Sequence, residues 1–271
     1  MVATHHAGLS INARLLHTAP SAATASVVVT EPGVVAGLAE ALEQLPEGLA
    51  PLVDWQVRDG DPVTSGQAIG TARGSAIELN RIEDHLLGVV GVASGIATRA
   101  RAIASSNPDL RIVCGAWKKL PSAMKPALRA GLDAAGVGHR LLAEEFVYID
   151  KNAVVLLGGV AAAVRAGHEV GNGAVAVQLK QADECDAAVS AGAAVLMIDT
   201  GRVEDLRKVR DRLRTLGRDD VQLAFGGGVR TEDLGAVANA GATIVDIGRQ
   251  ILDAPLLDLR FDVLPPRREE R

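Results

Sequence analysis

From Leu110 to Gly248 the chain repeats one alternation: a short apolar run rich in Val, Ile, Leu and Ala, then a segment of helical character. That rhythm belongs to strands connected by helices and narrows the chain to folds built on a parallel sheet. Strands are expected at Arg111 to Cys114, Val147 to Ile149, Ala174 to Leu179, Val195 to Ile198, Val221 to Phe225 and Thr243 to Ile247. Helices are expected at Ala123 to Ala134, Gly158 to Ala166, Asp183 to Ala191, Glu204 to Leu216 and Thr231 to Ala240. Six strands are too few for a complete eight-stranded α/β barrel. With only three Phe, two Trp and one Tyr, the core has to be aliphatic, as parallel strands covered by helices usually are.

The last two apolar runs both stop at glycine, in Ala224-Phe225-Gly226-Gly227-Gly228-Val229-Arg230 and Ile244-Val245-Asp246-Ile247-Gly248-Arg249-Gln250. Glycine lets backbone N–H groups approach an anion without a side chain in the way, and a helix N-terminus adds partial positive charge. In an α/β barrel the loops after the final strands commonly form such a phosphate site. The pair points to a phosphorylated ligand held at Gly226, Gly227, Gly228 and Gly248. Arg230 and Arg249 either reinforce that grip or pair with surface carboxylates. Tight turns alone would explain one glycine cluster more easily than two.

The first hundred residues read differently. Ser26 to Thr30 is a β-branched run stopped by Glu31-Pro32-Gly33, and Val34 to Leu42 turns toward helix. Short strands at Val53 to Val57 and Gln67 to Thr71 flank the turn residues Asp59-Gly60-Asp61-Pro62, and a long helix is expected from Ile82 to Ala104. The segment Leu256 to Val263 alternates like an edge strand that returns to this first part, and Pro265-Pro266 begins a frayed tail. The expected organisation is a small α/β sandwich over 1–106, a barrel over 107–255 and the returning strand with its tail over 256–271.

A net charge of −5 without a basic patch excludes nucleic acid and a membrane surface as expected partners. Cys114 and Cys185 lack the spacing of a zinc site or disulfide framework and read as small core residues. His5, His6, His17 and His168 have no ligand spacing. A basic-then-apolar leader is not apparent in Met-Val-Ala-Thr-His-His, so a cytoplasmic location is expected.

Several segments together resemble the quinolinate phosphoribosyltransferases, or carboxylating nicotinate-nucleotide pyrophosphorylases. Glu31-Pro32-Gly33-Val34-Val35-Ala36-Gly37-Leu38 is similar to that family's G-V-x-A-G segment, Ser94-Gly95-Ile96-Ala97-Thr98 to its S-G-I-A-T helix and Gly136-Val137-Gly138-His139-Arg140 to its G-G-V-N-H-R. Gly226-Gly227 resembles its S-G-G, Gly248 falls on its V-G, and Ala254-Pro255 with Asp258 resembles its A-P-x-L-D. The resemblance implies an N-terminal α/β sandwich, an incomplete barrel of seven strands, and a homodimer in which the sandwich of one copy covers the barrel mouth of the other.

It also marks departures. That family joins a dicarboxylate to phosphoribosyl pyrophosphate, so its site is crowded with Arg and Lys. Here Asp84 stands where the family has the arginine that reaches across the dimer, and Trp117 replaces the arginine of T-R-K-T-T-P-G while Lys118 and Pro121 remain. Ile149-Asp150-Lys151-Asn152 stands for I-K-D-N, placing Asp150 at the strand end and Lys151 after it. Gln178 replaces a glutamate that helps hold magnesium and the ribose hydroxyls, and Asp199 keeps the second acidic position. Opposite charges a few ångströms apart in a partly desolvated cleft are worth roughly 1 to 4 kcal/mol, so reversing two anchors penalises quinolinate heavily.

An aromatic ring bearing an amine, amide or cationic group fits such a lining better, stacked on Trp117 with Asp84 and Asp150 accepting hydrogen bonds. The leading expectation is a small phosphorylated substrate, phosphoribosyl pyrophosphate, and a nitrogen heterocycle other than quinolinate as acceptor. Lys118, His139 and Arg140 would hold pyrophosphate or acceptor, and Asp199 would orient the ribose or contact magnesium through water. Asp150 is a candidate base or amine acceptor, or else a strand-end partner of Lys151; Lys118 is equally a member of a solvated face with Lys119 and Lys125. Two other readings are a lyase or isomerase on a phosphorylated metabolite, with Asp150 or Lys151 as base, and a catalytically inactive binding homologue.

Overall fold

The protein is described by a computed structural model at residues 15, 16 and 22–264. His5, His6, His17 and the tail from Pro265 lie outside the described residues. The chain divides into two compact units, one formed by Met1–Arg99, Pro121–Ala135 and Ala254–Arg271, the other by Ala100–Leu120 and Gly136–Asp253.

In the first unit, β1 (Ala23–Val29) buries Ala25, Val27 and Val29 completely, the period-2 pattern of a strand with one face on a core. After β2 (Gly33–Val34), Gly37 takes a left-handed φ of 81° and starts α1 (Leu38–Glu43). The helix anticipated from Val34 therefore begins later: Gly33 and Val34 extend to pair with β4 (Pro62–Val63) instead. β3 (Val53–Trp55) and β5 (Ala68–Gly74) complete an antiparallel sheet in the order Leu259–Leu264, β1, β5, β3. The C-terminal segment thus does return, pairing with β1 from Thr24↔Leu264 to Val29↔Leu259.

The helix α2 (Ala76–Ser105) carries Ile82, Leu86, Val90, Ala93 and Ala97 on one buried stripe at i, i+3/i+4 spacing. By length and composition it is apolar enough to cross a membrane, but 56% of its most apolar window is buried inside the protein, where Ile82, Leu86 and Val90 pack on the sheet core. Its S-G-I-A-T segment has a structural explanation. Ser94 Oγ, fully buried, accepts the Ala36 N–H at 2.9 Å, and Thr98 Oγ1 accepts the Val34 N–H at 2.9 Å. A Cβ on Gly95 would collide with the backbone at Pro255. The helix α3 (Lys125–Ala135), expected with the barrel, belongs to this first unit because Ala127 packs with Ala93 and Ala97.

The second unit holds six parallel strands: β6 (Arg111–Val113), β7 (Phe146–Ile149), β8 (Ala174–Leu179), β9 (Val195–Ile198), β10 (Gln222–Phe225) and β11 (Ile244–Asp246). Their order is β6, β11, β10, β9, β8, β7. Helices α4 (Lys151–Leu156), α5 (Val160–Val170), α6 (Cys185–Ser190), α7 (Val203–Thr215), α8 (Leu234–Asn239) and α9 (Arg249–Leu252) connect or follow them. The sheet is a curled half-barrel of the incomplete α/β barrel kind. Of a seventh strand, the described residues keep a single parallel bridge, Val113↔Gly138, since Gly136 at φ 71° turns the chain just before it and no apolar alternation follows. Val113, Ala176, Val195, Met197, Ala224 and Ile244 form an aliphatic cluster on the sheet, and both cysteines are buried.

Replacing Ser94 by Ala should leave the Ala36 N–H without its partner in a dry environment. A loss of about 1–3 kcal/mol in urea denaturation is expected, and no loss would refute the structural role assigned to the segment.

Candidate active site

Parallel strands in register deliver their last residues to one rim, where the chemistry-bearing side chains of such folds collect. Asp150 follows β7 and caps α4: its Oδ1 accepts the N–H groups of Asn152 and Ala153, both at 3.0 Å. Its Oδ2 lies 3.3 Å from Lys118 Nζ. The Ala153 bond, helped by Lys118 and the Asn152 bond, holds this carboxyl below the usual carboxylate range. One strand over, the buried Gln178 accepts the Lys151 N–H on Oε1 at 3.1 Å and donates from Nε2 to Asp199 Oδ2 at 3.0 Å. An amide can bridge a backbone donor and a carboxylate at once; a glutamate there would repel Asp199.

Next along the rim, the Gly201 N–H donates to the Gly226 carbonyl and the Gly226 N–H to the Ile198 carbonyl, both at 2.9 Å. The two loops lie backbone against backbone, so that a Cβ on Gly201 or Gly227 would overlap the opposite chain, and both residues have positive φ, 69° and 96°. Gly228 has open space beside its Cα.

These strand ends line a cavity of about 630 Å³. Trp117, Lys118 and Lys119 contribute from a 3₁₀ turn after β6, His139 and Arg140 from the loop before β7, and Tyr148, Asp150 and Lys151 from β7 and the start of α4. Gln178, Asp199, Gly227, Gly228, Asp246, Gly248 and Arg249 also line it. Lys118 Nζ lies 5.8 Å from the Trp117 ring centroid, and the Arg140 guanidinium lies 4.8 Å from that of Phe146. Asp246 Oδ1 accepts the Gly115 N–H at 2.8 Å. Burial, with Asp199 adding, raises the Asp246 carboxyl above its usual range against the opposing pull of the Gly115 bond and Lys119. Burial first, then the charges of Asp199, Asp246 and Asp150, push the Tyr148 hydroxyl upward, keeping it a neutral donor at physiological pH.

The structure brings together Trp117, Lys118, His139, Arg140, Asp150, Lys151, Gln178, Asp199, Gly227, Gly228, Gly248 and Arg249. Three expected residues stand elsewhere. Gly226 is not in the lining; its backbone is spent on the loop pairing, and a Cβ there would meet Met197 Cε at 2.6 Å. Arg230 is also outside the lining, held by Asp233 at 3.1 Å and Glu232 at 3.3 Å, the surface pairing that was one of its two readings. Asp84 is an exposed residue of α2 and does not line this cavity. Arg249 does line it while pairing with Asp253 at 3.1 Å. Asp150 pairs with Lys118, not with Lys151 as one reading had it.

Tyr148 and Asp246 line the cavity without having been among the expected site residues. The signal for Asp246 was present, a lone acid inside the apolar run Ile244 to Ile247 at a strand's carboxyl end. Tyr148 had none, because alternation along β7 does not reveal which face meets a cavity.

Comparison with known proteins agrees with the fold. The description "Quinolinate phosphoribosyl transferase, C-terminal domain" matches residues 96–262, and the corresponding N-terminal domain matches residues 11–94. The chain belongs to the quinolinate phosphoribosyl transferase family. Members are enzymes of the phosphoribosyltransferase class, and this chain is one of them. It is 29% identical over 252 residues to a probable carboxylating nicotinate-nucleotide pyrophosphorylase of Methanothermobacter thermautotrophicus, covering 88% of each chain. It is 28% identical over 266 residues to the carboxylating nicotinate-nucleotide pyrophosphorylase of Mycobacterium leprae, covering 94% of this chain and 92% of that one. The solved nicotinate-nucleotide pyrophosphorylase of Francisella tularensis shares the fold with a TM-score of 0.77 at 22% identity, over 95% of this chain and 91% of that one.

Replacing Asp150 by Ala removes a helix cap and the partner of Lys118. A loss of about 0.5–2 kcal/mol is expected near neutral pH. Because the folded carboxyl titrates below its unfolded value, the contribution is complete above about pH 4 and fades as pH falls through the folded value. Urea midpoints of native and variant protein should draw together as pH falls below about 4. Asp246→Asn has the opposite sign. The native carboxyl is raised on folding, so its ionisation costs stability as pH rises. The stability of the variant relative to the native protein should therefore increase between pH 4 and pH 8, and a flat difference would contradict the raised titration assigned to this carboxyl.

Proposed function

We propose that this enzyme transfers the phosphoribosyl group of phosphoribosyl pyrophosphate to a nitrogen heterocycle other than quinolinate. One observation carries the reading: Lys118, the cation retained beside Trp117, is engaged by Asp150 at 3.3 Å, so the wall that would neutralise a dicarboxylate spends its charge internally. A dianionic acceptor would have to compete with Asp150 for Lys118 and tolerate Asp199 and Asp246 nearby. A neutral ring stacked on Trp117 meets no such penalty.

In this reading the 5-phosphate lies at Gly227, Gly228 and Gly248, the ribose hydroxyls on Asp199, and pyrophosphate against Lys119, His139 and Arg140. The ring nitrogen bonds to C1 of the ribose while the C1–O bond to pyrophosphate breaks, its electron pair leaving on pyrophosphate. Catalysis comes from alignment and from cations placed where that negative charge develops. An acceptor without the extra carboxylate needs no decarboxylation.

Magnesium fits this site only in a limited way. The described residues contain no group of three or more His, Cys, Asp or Glu able to hold a metal, and Asp199 Oδ2 is already bound by Gln178. The ion would be held by Asp199 through water and otherwise by substrate oxygens, supplying charge neutralisation to pyrophosphate. The reading carries with it a homodimer, in which Asp84 of one copy faces the other's site, and a cytoplasmic location.

Pyrophosphate release from phosphoribosyl pyrophosphate should be measured across quinolinate and a panel of neutral nitrogen heterocycles. The expected result is that at least one neutral ring exceeds quinolinate in kcat/KM by a factor of ten or more. Quinolinate as the best acceptor would end the reading.

A further inference from the structure

Asp246 lines the cavity and takes no part in the reaction outlined above. Its Oδ1 is fixed by the Gly115 N–H at 2.8 Å, and no hydrogen-bond partner for its Oδ2 is found among the described residues. The bond to Gly115 places the carboxylate against the start of the segment that carries Trp117 and Lys119 to the same cavity. Gly226 has no Cβ to separate the two acids: the position a Cβ would take lies 3.5 Å from Asp246 Cβ and 3.2 Å from Asp199 Oδ1.

A carboxylate held on one oxygen and open on the other is a fixed acceptor. It rewards a donor and repels a carboxylate or carbonyl brought to the same place. Lys119 shares this wall, with its Nζ 3.8 Å from the position a Cβ of Gly248 would take, and moderates the negative charge toward the glycine turns. Tyr148 adds a neutral hydroxyl on the opposite strand edge.

We propose that Asp246 selects the acceptor, its Oδ2 accepting a hydrogen bond from an amino, amide or ring N–H of a nitrogen heterocycle whose face lies on Trp117. This rests on the phosphoribosyl-transfer reading and narrows its substrate class to rings that carry an N–H donor. Asparagine at 246 would keep an acceptor for Gly115 and turn a donor toward the cavity, so the substitution reverses the polarity of the contact without emptying it.

The test uses the full chain and matched pyridines, differing only in an amino, methyl or carboxylate substituent at one ring position. Binding is measured by calorimetry with phosphoribosyl pyrophosphate present, and turnover by pyrophosphate release. The native enzyme should favour the amino ring over its methyl counterpart at least tenfold in Kd at one ring position or another. Asp246→Asn should lose that preference and gain affinity for the carboxylate ring. Equal binding of amino and methyl rings by the native enzyme at every position overturns the proposal without any variant, as does an unchanged preference in a folded Asp246→Asn protein. If the rings bind with the expected preference and none releases pyrophosphate, the acceptor-selecting role stands while the phosphoribosyl-transfer reading falls.

Discussion

The second unit depends on one constraint, the parallel hydrogen-bond ladder that runs unbroken from β7 through β8, β9, β10 and β11 to β6. Parallel pairing keeps every strand pointing the same way, so six carboxyl ends arrive at one rim although they come from segments more than a hundred residues apart in sequence. Gly115, Asp150, Gln178, Asp199, Gly227 and Asp246 are neighbours for that reason alone. The helices between the strands cover the outer face and leave the rim to loops, which is where polar groups can be solvated or bind ligands.

On that rim the side chains hold one another before any ligand arrives. Asp150 caps α4 and pairs with Lys118, and Gln178 ties the start of α4 to Asp199. Asp246 anchors the turn that carries Trp117. The departures from the family's residues are therefore connected. Asp150 at a strand end brings a negative charge but also a cap, and Gln178 makes it possible for a single acid, Asp199, to be satisfied without a cation. The cavity therefore carries cations at Lys119, Arg140 and Arg249 beside carboxylates and an indole.

The strand pattern was legible because aliphatic runs bounded by glycine or acid are hard to place otherwise. Ala174 to Leu179 and Val195 to Ile198 were read to the residue, and the other four strands of the second unit to within one at each end. In the first unit strand ends were off by up to three residues, and the two-residue strands β2 and β4 were not expected. What was missed has identifiable causes. The short helix α4 was not expected because Asp150 was considered as a charge and not as a cap. Gly226 was given a ligand role that its place in the glycine run suggested, whereas loop pairing engages its backbone; of the two readings of Arg230, the structure shows the pairing with local carboxylates.

The sequence by itself determined the kind of fold and the presence of a glycine-edged rim, because hydrophobic period and backbone freedom are local properties that each residue carries with it. Which side chains share the cavity was decided only by tertiary structure. The Asp246–Gly115 bond joins residues 131 positions apart, and the Gln178–Asp199 bond bridges two strands; neither follows from any spacing in the chain. Whether an acid faces a ligand, caps a helix or pairs with a lysine depends on which backbone donors and cations the fold brings within about 3 Å of it, and only the assembled sheet sets that distance.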